Sequence, residues 1–150
     1  MPPTQLFFLV STVVILPIAW LRGGHPERMT TAILLFNYLA GLVLQFGRIG
    51  EFMFGLAAAD VILLGVLGWL TLKFDRWWLF LATAAQGLVV LAYVAVLTSS
   101  EITARENIVA QWVFGLITLY ALLGGVFERW LAGERAAAPP LSARPARPRP

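Results

Sequence analysis

The sequence has no cysteine, one histidine and few charges. Without cysteine there are no disulfides, no thiolate metal sites and no thiol nucleophile. The single histidine, His25, can supply neither bis-histidine haem ligation nor a zinc site within the chain. Charged residues fill 13% of the 150 positions, roughly half the usual share. Catalytic signatures are missing as well: there is no Walker loop, HExxH, GxSxG or dinucleotide fingerprint. No enzyme activity, cofactor or metal is expected from such a chain.

What is present is apolar. Apolar residues make up 59% of the sequence, against about 45–50% in an ordinary soluble domain. A soluble fold of this size leaves about a third of its surface in water, so it cannot hide that much apolar area. Lipid is therefore the expected solvent. Ten of the eleven basic residues are arginine, which with abundant Ala, Gly and Pro fits GC-rich bacterial coding. The net charge of +3 is divided by long apolar segments, so nucleic acid is not an expected partner.

Five apolar segments stand out, Gln5–Leu21, Met29–Phe46, Phe52–Leu72, Trp77–Leu97 and Asn107–Phe127, each 17 to 21 residues long. A bilayer core takes about 20 helical residues. The expected fold is an all-α bundle of five transmembrane helices over residues 1–131. Residues 132–150, rich in Ala, Arg and Pro, are expected to form a disordered cytoplasmic tail. A signal peptide is not the expected reading of the first segment, because Met1–Thr4 carries no basic side chain and Arg22-Gly23-Gly24 follows the apolar run.

Charge sets the expected orientation. One side collects Arg22, Arg28, Lys73, Arg76, Arg129 and the tail arginines, nine basic residues in all, and the other side has only Arg48 and Arg105. By the positive-inside rule the N-terminus lies outside and the C-terminus in the cytoplasm. Trp20, Trp69, Trp77, Trp78 and Trp130 fall at the expected cytoplasmic interface, as anchors; Trp112 falls at the outer one.

Asp60 is the most informative residue. It lies in the third segment after Ala57-Ala58-Ala59, roughly 12 Å below the outer boundary. A carboxylate at that depth costs several kcal/mol and must face protein, water or a partner. Asn37 and Gln86 reach about 12–14 Å from the other side, and Thr118 is comparably central. Four helices thus each bring one polar group to one level. That suits a proton or solute site, or plain interhelical hydrogen bonding. Ala82 and Tyr93 share a helix face with Gln86 and suggest close packing, as do Gly55 with Ala59 and Gly65 with Gly68. The turn Arg22-Gly23-Gly24-His25-Pro26-Glu27-Arg28 is the best-marked loop, with His25 facing solvent and Glu27 near a helix start.

The runs LRGGHPER, IGEFMFGLAAAD and KFDRWWLFLATAAQGLVVLAY together resemble a group of small bacterial multi-span inner-membrane proteins that have no assigned activity. In that group an RGGxPER-like turn joins the first two helices, an acidic residue sits in the third and RWW opens the fourth. The match covers about residues 15 to 127. Leu79 and Tyr93 stand where the group tends to have Pro and His. The resemblance implies the multi-span architecture and no mechanism.

The leading expectation is a non-enzymatic protein of the bacterial inner membrane that acts through helix packing, as an accessory subunit or a homo-oligomer. Its partners would be membrane lipids and other membrane subunits or itself. The alternative is a minimal proton-coupled transporter or channel using Asp60.

Overall fold

The computed structural model describes residues 3–44, 54–98 and 104–133. It holds five helices: α1 (Pro3–Arg22), α2 (His25–Leu44), α3 (Phe54–Phe74), α4 (Trp77–Thr98) and α5 (Ala104–Leu131). The chain is all-helical among the described residues. The gap at Gly47–Glu51, the gap at Glu101, the basic side chains of Arg48 and Arg105, and the tail from residue 134 lie outside the described residues.

Four of the helices, α1, α3, α4 and α5, are long and apolar enough to cross a membrane. Helix α2 is less apolar because its first turns carry Glu27, Arg28, Thr30 and Thr31 and its middle carries Asn37. Pro17 lies inside α1 without ending it. Arg22, Lys73 and Arg129 sit in the last turns of α1, α3 and α5, where positive charge suits the negative end of the helix dipole. Asp75 makes the short α3–α4 turn with φ of 43°, a left-handed conformation that Asp tolerates better than most residues.

The helices close into a ring. Each packs against its sequence neighbour, and α5 returns to pack against α1, with a slighter contact across to α2. The α4–α5 seam is the most extensive. Packing is uneven along the ring's length. Leu67 and Leu70 of α3, Trp78 and Leu79 of α4, Leu119 and Leu122 of α5 and Ala19 of α1 are completely buried at one end. At the other end, residues 4–10, 35–44, 54–59, 94–98 and 107–117 include no buried side chain. The outer surface is apolar: Phe36, Val43, Ile62 and Leu72 are all strongly exposed. Meanwhile Glu27, Thr30, Thr31, Asp60, Thr71, Gln86 and Thr118 are buried. This inside-out distribution suits a hydrocarbon surround.

Two expectations about side-chain direction change. Trp20, Trp69, Trp77 and Trp130 face outward, but Trp78 is 0% exposed. Neighbouring helical residues point about 100° apart, so Trp77 and Trp78 cannot both face out. Trp78 lies in the core against Gly125 of α5. Gly65 and Gly68 pack against no other helix of the chain, since a Cβ at either would meet nothing within 4 Å. They sit on the outer side of α3. Gly55, in contrast, lies against Leu44 of α2, where a Cβ would come within 3.2 Å of Leu44 Cδ2.

A Cβ on Gly125 would lie 2.5 Å from Trp78 Cδ1 and Nε1. Gly125→Ala is therefore expected to destabilise the bundle by about 1–3 kcal/mol, the usual cost of overpacking. Gly65→Ala is expected to leave stability unchanged or slightly raised. Thermal unfolding of both variants in mild detergent checks the contrast.

Candidate functional site

Asp60 faces into the bundle from the middle of α3. Its carboxylate is the meeting point of three helices. Asn37 of α2 donates from Nδ2 to Oδ1 at 3.2 Å. Gln86 of α4 donates from Nε2 to the same Oδ1 at 3.1 Å and to the Asp60 carbonyl at 3.3 Å. Tyr93, two turns further along α4, donates its hydroxyl to Oδ2 at 2.9 Å. The seven-residue spacing of Gln86 and Tyr93 puts both on one helix face, and Ala82 and Val89 are buried on that stripe. Hydrogen bonds to an ionised acceptor are roughly twice as strong as neutral ones. Three side-chain donors therefore do much to offset the desolvation of this carboxylate.

Thr118 does not join the network. Its hydroxyl donates to the Phe114 carbonyl of its own helix at 3.2 Å, the usual local outlet for a helical threonine. It lines the same space, however. Beside Asp60 lies a cavity of about 210 Å³ whose wall takes residues from all five helices, including Phe8, Asn37, Tyr38, Asp60, Gln86, Gln111, Trp112 and Thr118. Phe8 packs edge-on against Tyr38 with ring centroids 5.6 Å apart, and lies 5.7 Å from Trp112. Tyr38, Gln111, Trp112 and Phe8 were not among the sequence candidates. Gln111 is seven residues before Thr118, a same-face spacing that could have pointed to it. Tyr93 figured there only as a packing residue, although its hydroxyl has polar reach.

A second polar cluster ties the packed end together. Gly24, the residue before α2, donates its backbone N–H to Glu27 Oε2 at 2.8 Å. That is the backward half of a capping box, with the acid near the positive helix start. Arg129 of α5 approaches the same oxygen at 3.9 Å. Arg28 donates from Nε to the Trp20 carbonyl at 2.9 Å and so caps α1. A side chain on Gly24 would overlap the Arg129 guanidinium, and one on Gly23 the Ala19 carbonyl. Gly23 is thus required by close approach to backbone, whereas a side chain at Gly24 would displace the flexible Arg129 head group. Nearby, Trp77 donates from Nε1 to Glu128 at 2.6 Å. His25 is exposed on this loop. The cluster is a structural joint between the first turn and the last helix.

No group of three or more metal-capable side chains occurs among the described residues. Tyr93→Phe removes one charge-assisted hydrogen bond, worth about 1.5–3 kcal/mol. It is expected to lower unfolding stability by about that amount, whereas Tyr120→Phe, at a half-exposed site whose hydroxyl lies 3.5 Å from Ser11 Oγ, changes it little. Denaturant unfolding in one detergent checks both. No protein-family model, curated protein or solved structure matches this chain.

Proposed function

We propose that this chain is a non-enzymatic protein of five spans in a bacterial inner membrane, working as a minimal proton-coupled carrier or channel centred on Asp60. One observation carries the reading. A buried carboxylate, held by donors from two other helices, borders a cavity of about 210 Å³ that all five helices line. An interhelical brace alone needs no room beside it. A site that exchanges a proton or solute does, and an ionisable group within a membrane bundle is by default a functional candidate.

The fifth span in this reading is α2. Its polar residues Glu27, Thr30, Thr31 and Asn37 face the bundle, while Phe36, Leu39, Leu42 and Val43 face out and are apolar. Its lower overall apolarity thus comes from its inner face, which lipid does not meet. For orientation, Arg22, Arg28, Lys73, Arg76 and Arg129 all belong to the packed end, which supports placing that end in the cytoplasm. The resemblance to small multi-span inner-membrane proteins points the same way, through its shared turn, its acidic third helix and its RWW opening.

The packing reading, an accessory subunit or homo-oligomer, is favoured by a different observation. Two apolar grooves flank α2 on the outer surface, of about 700 Å³ against α3 and about 790 Å³ against α1. Partner helices or lipid tails could lie there.

Proteoliposomes separate the two. Under an imposed potential, with a pH-sensitive dye inside, the wild type is expected to admit protons above the level of empty vesicles. Asp60→Asn is expected to fall to that level while keeping its elution profile and helical content. Equal flux in the variant removes Asp60 from the reading. An inert wild type that co-purifies stoichiometrically with a larger complex favours the accessory role.

A further inference from the structure

The outer groove between α2 and α3 and the cavity at Asp60 are separated by little. Asn37 and Leu63 line both. The groove is otherwise apolar, walled by Phe36 and Ile62, and it is deep because Ala40, Gly55, Ala58 and Ala59 leave room. The cavity carries polar and aromatic side chains, with one carboxylate and no basic side chain among the described residues of its wall. An apolar compartment and an anionic, aromatic one thus meet across the Asn37 amide.

We propose that groove and cavity form one binding site for an amphipathic monovalent organic cation, entered sideways from the lipid. The inference deepens the carrier reading and rests on Asp60 being a solute site. The charged head lies beside Asp60 and the apolar tail lies in the groove.

Four features select this ligand class. Asp60 Oδ1 accepts two side-chain hydrogen bonds and Oδ2 accepts one. A carboxylate offers about four acceptor positions, so one direction on Oδ2 remains for a further positive group. The rings of Phe8, Tyr38 and Trp112 line the same space, and ring faces attract a cation most strongly where water is excluded. The volume of about 210 Å³ exceeds the roughly 150 Å³ that holds a benzene, which suits a trimethylammonium-sized head and excludes bulky dications. The groove, finally, takes a tail and nothing polar. A neutral alcohol offers the carboxylate one hydrogen bond and no charge, so it is held more weakly than a cation, and the phosphate of a phospholipid is repelled by it.

The experiment uses the full chain in dodecylmaltoside micelles, with equilibrium dialysis of octyltrimethylammonium, tetramethylammonium and octanol against empty micelles. Saturable, stoichiometric binding of octyltrimethylammonium is expected, with no saturable binding of octanol. Asp60→Asn is expected to weaken the octyl cation about tenfold or more, the loss of one strong ionic contact. Ala58→Phe fills the groove from an exposed position and leaves the Asp60 network in place. It is expected to weaken the octyl cation about tenfold and to leave tetramethylammonium unchanged. That variant carries the test if Asp60→Asn does not fold. Equal binding of octanol overturns the proposal, as does an Ala58→Phe variant that binds the octyl cation like the wild type. Asp60-dependent proton flux without cation binding overturns the proposal and leaves the carrier reading standing. Loss of both overturns the two together.

Discussion

The bundle is organised around the need to partner one buried carboxylate. An ionised group removed from water costs several kcal/mol unless donors replace the lost hydration. Asp60 receives those donors from Asn37, Gln86 and Tyr93. Satisfying it fixes the rotation of α2 and α4 about α3, because each donor must point inward at the same level. The remaining helix faces follow. With Gln86 and Tyr93 turned inward, Trp77 falls outside and Trp78 inside. Trp78 then needs the bare backbone of Gly125 opposite it.

The packed end depends on a separate device. Glu27 is buried in the first turn of α2, and it accepts from Gly24 of the preceding loop while Arg129 stands beside it. Gly23 lets the loop meet the backbone of α1 closely, and Gly24 leaves room for the Arg129 head group. One end of the ring is therefore locked by both apolar packing and polar contacts. Among the described residues, the opposite end, from residues 35–44, 54–59 and 107–117, includes no buried side chain, and the cavity of about 210 Å³ beside Asp60 is lined partly by it.

Much of this is legible from residue order, and the limits have a physical cause. Depth along a helix follows from counting residues, so Asn37, Asp60 and Gln86 can be placed at one level before any coordinates exist. Direction around the helix axis does not follow from counting where the surround is lipid. In water an apolar stripe marks the inner face; α3 and α4 are apolar nearly all round, so that cue is gone. This explains Gly65 and Gly68, well spaced for close packing but turned outward from the chain's own helices. Thr118 is a separate case, at the right level and buried, with its short hydroxyl bonded to its own helix. Tyr38 is hidden for the same lack of an inward cue, whereas Gln111 is marked by its seven-residue spacing from Thr118. The buried role of Glu27 was only half visible: its place near a helix start could be read, but Arg129, about a hundred residues away, could not.

The ring closes through α1 and α5, which stand at the two ends of the five-helix order. Until α5 arrives, α1 has only α2 beside it, the slightest seam between sequence neighbours. Glu27 also waits, capped by Gly24 but without the arginine that stands over it in the finished fold. The Asp60 knot needs only α2, α3 and α4. The polar centre can therefore form before the wall around it is complete, and α5 encloses a site that already exists.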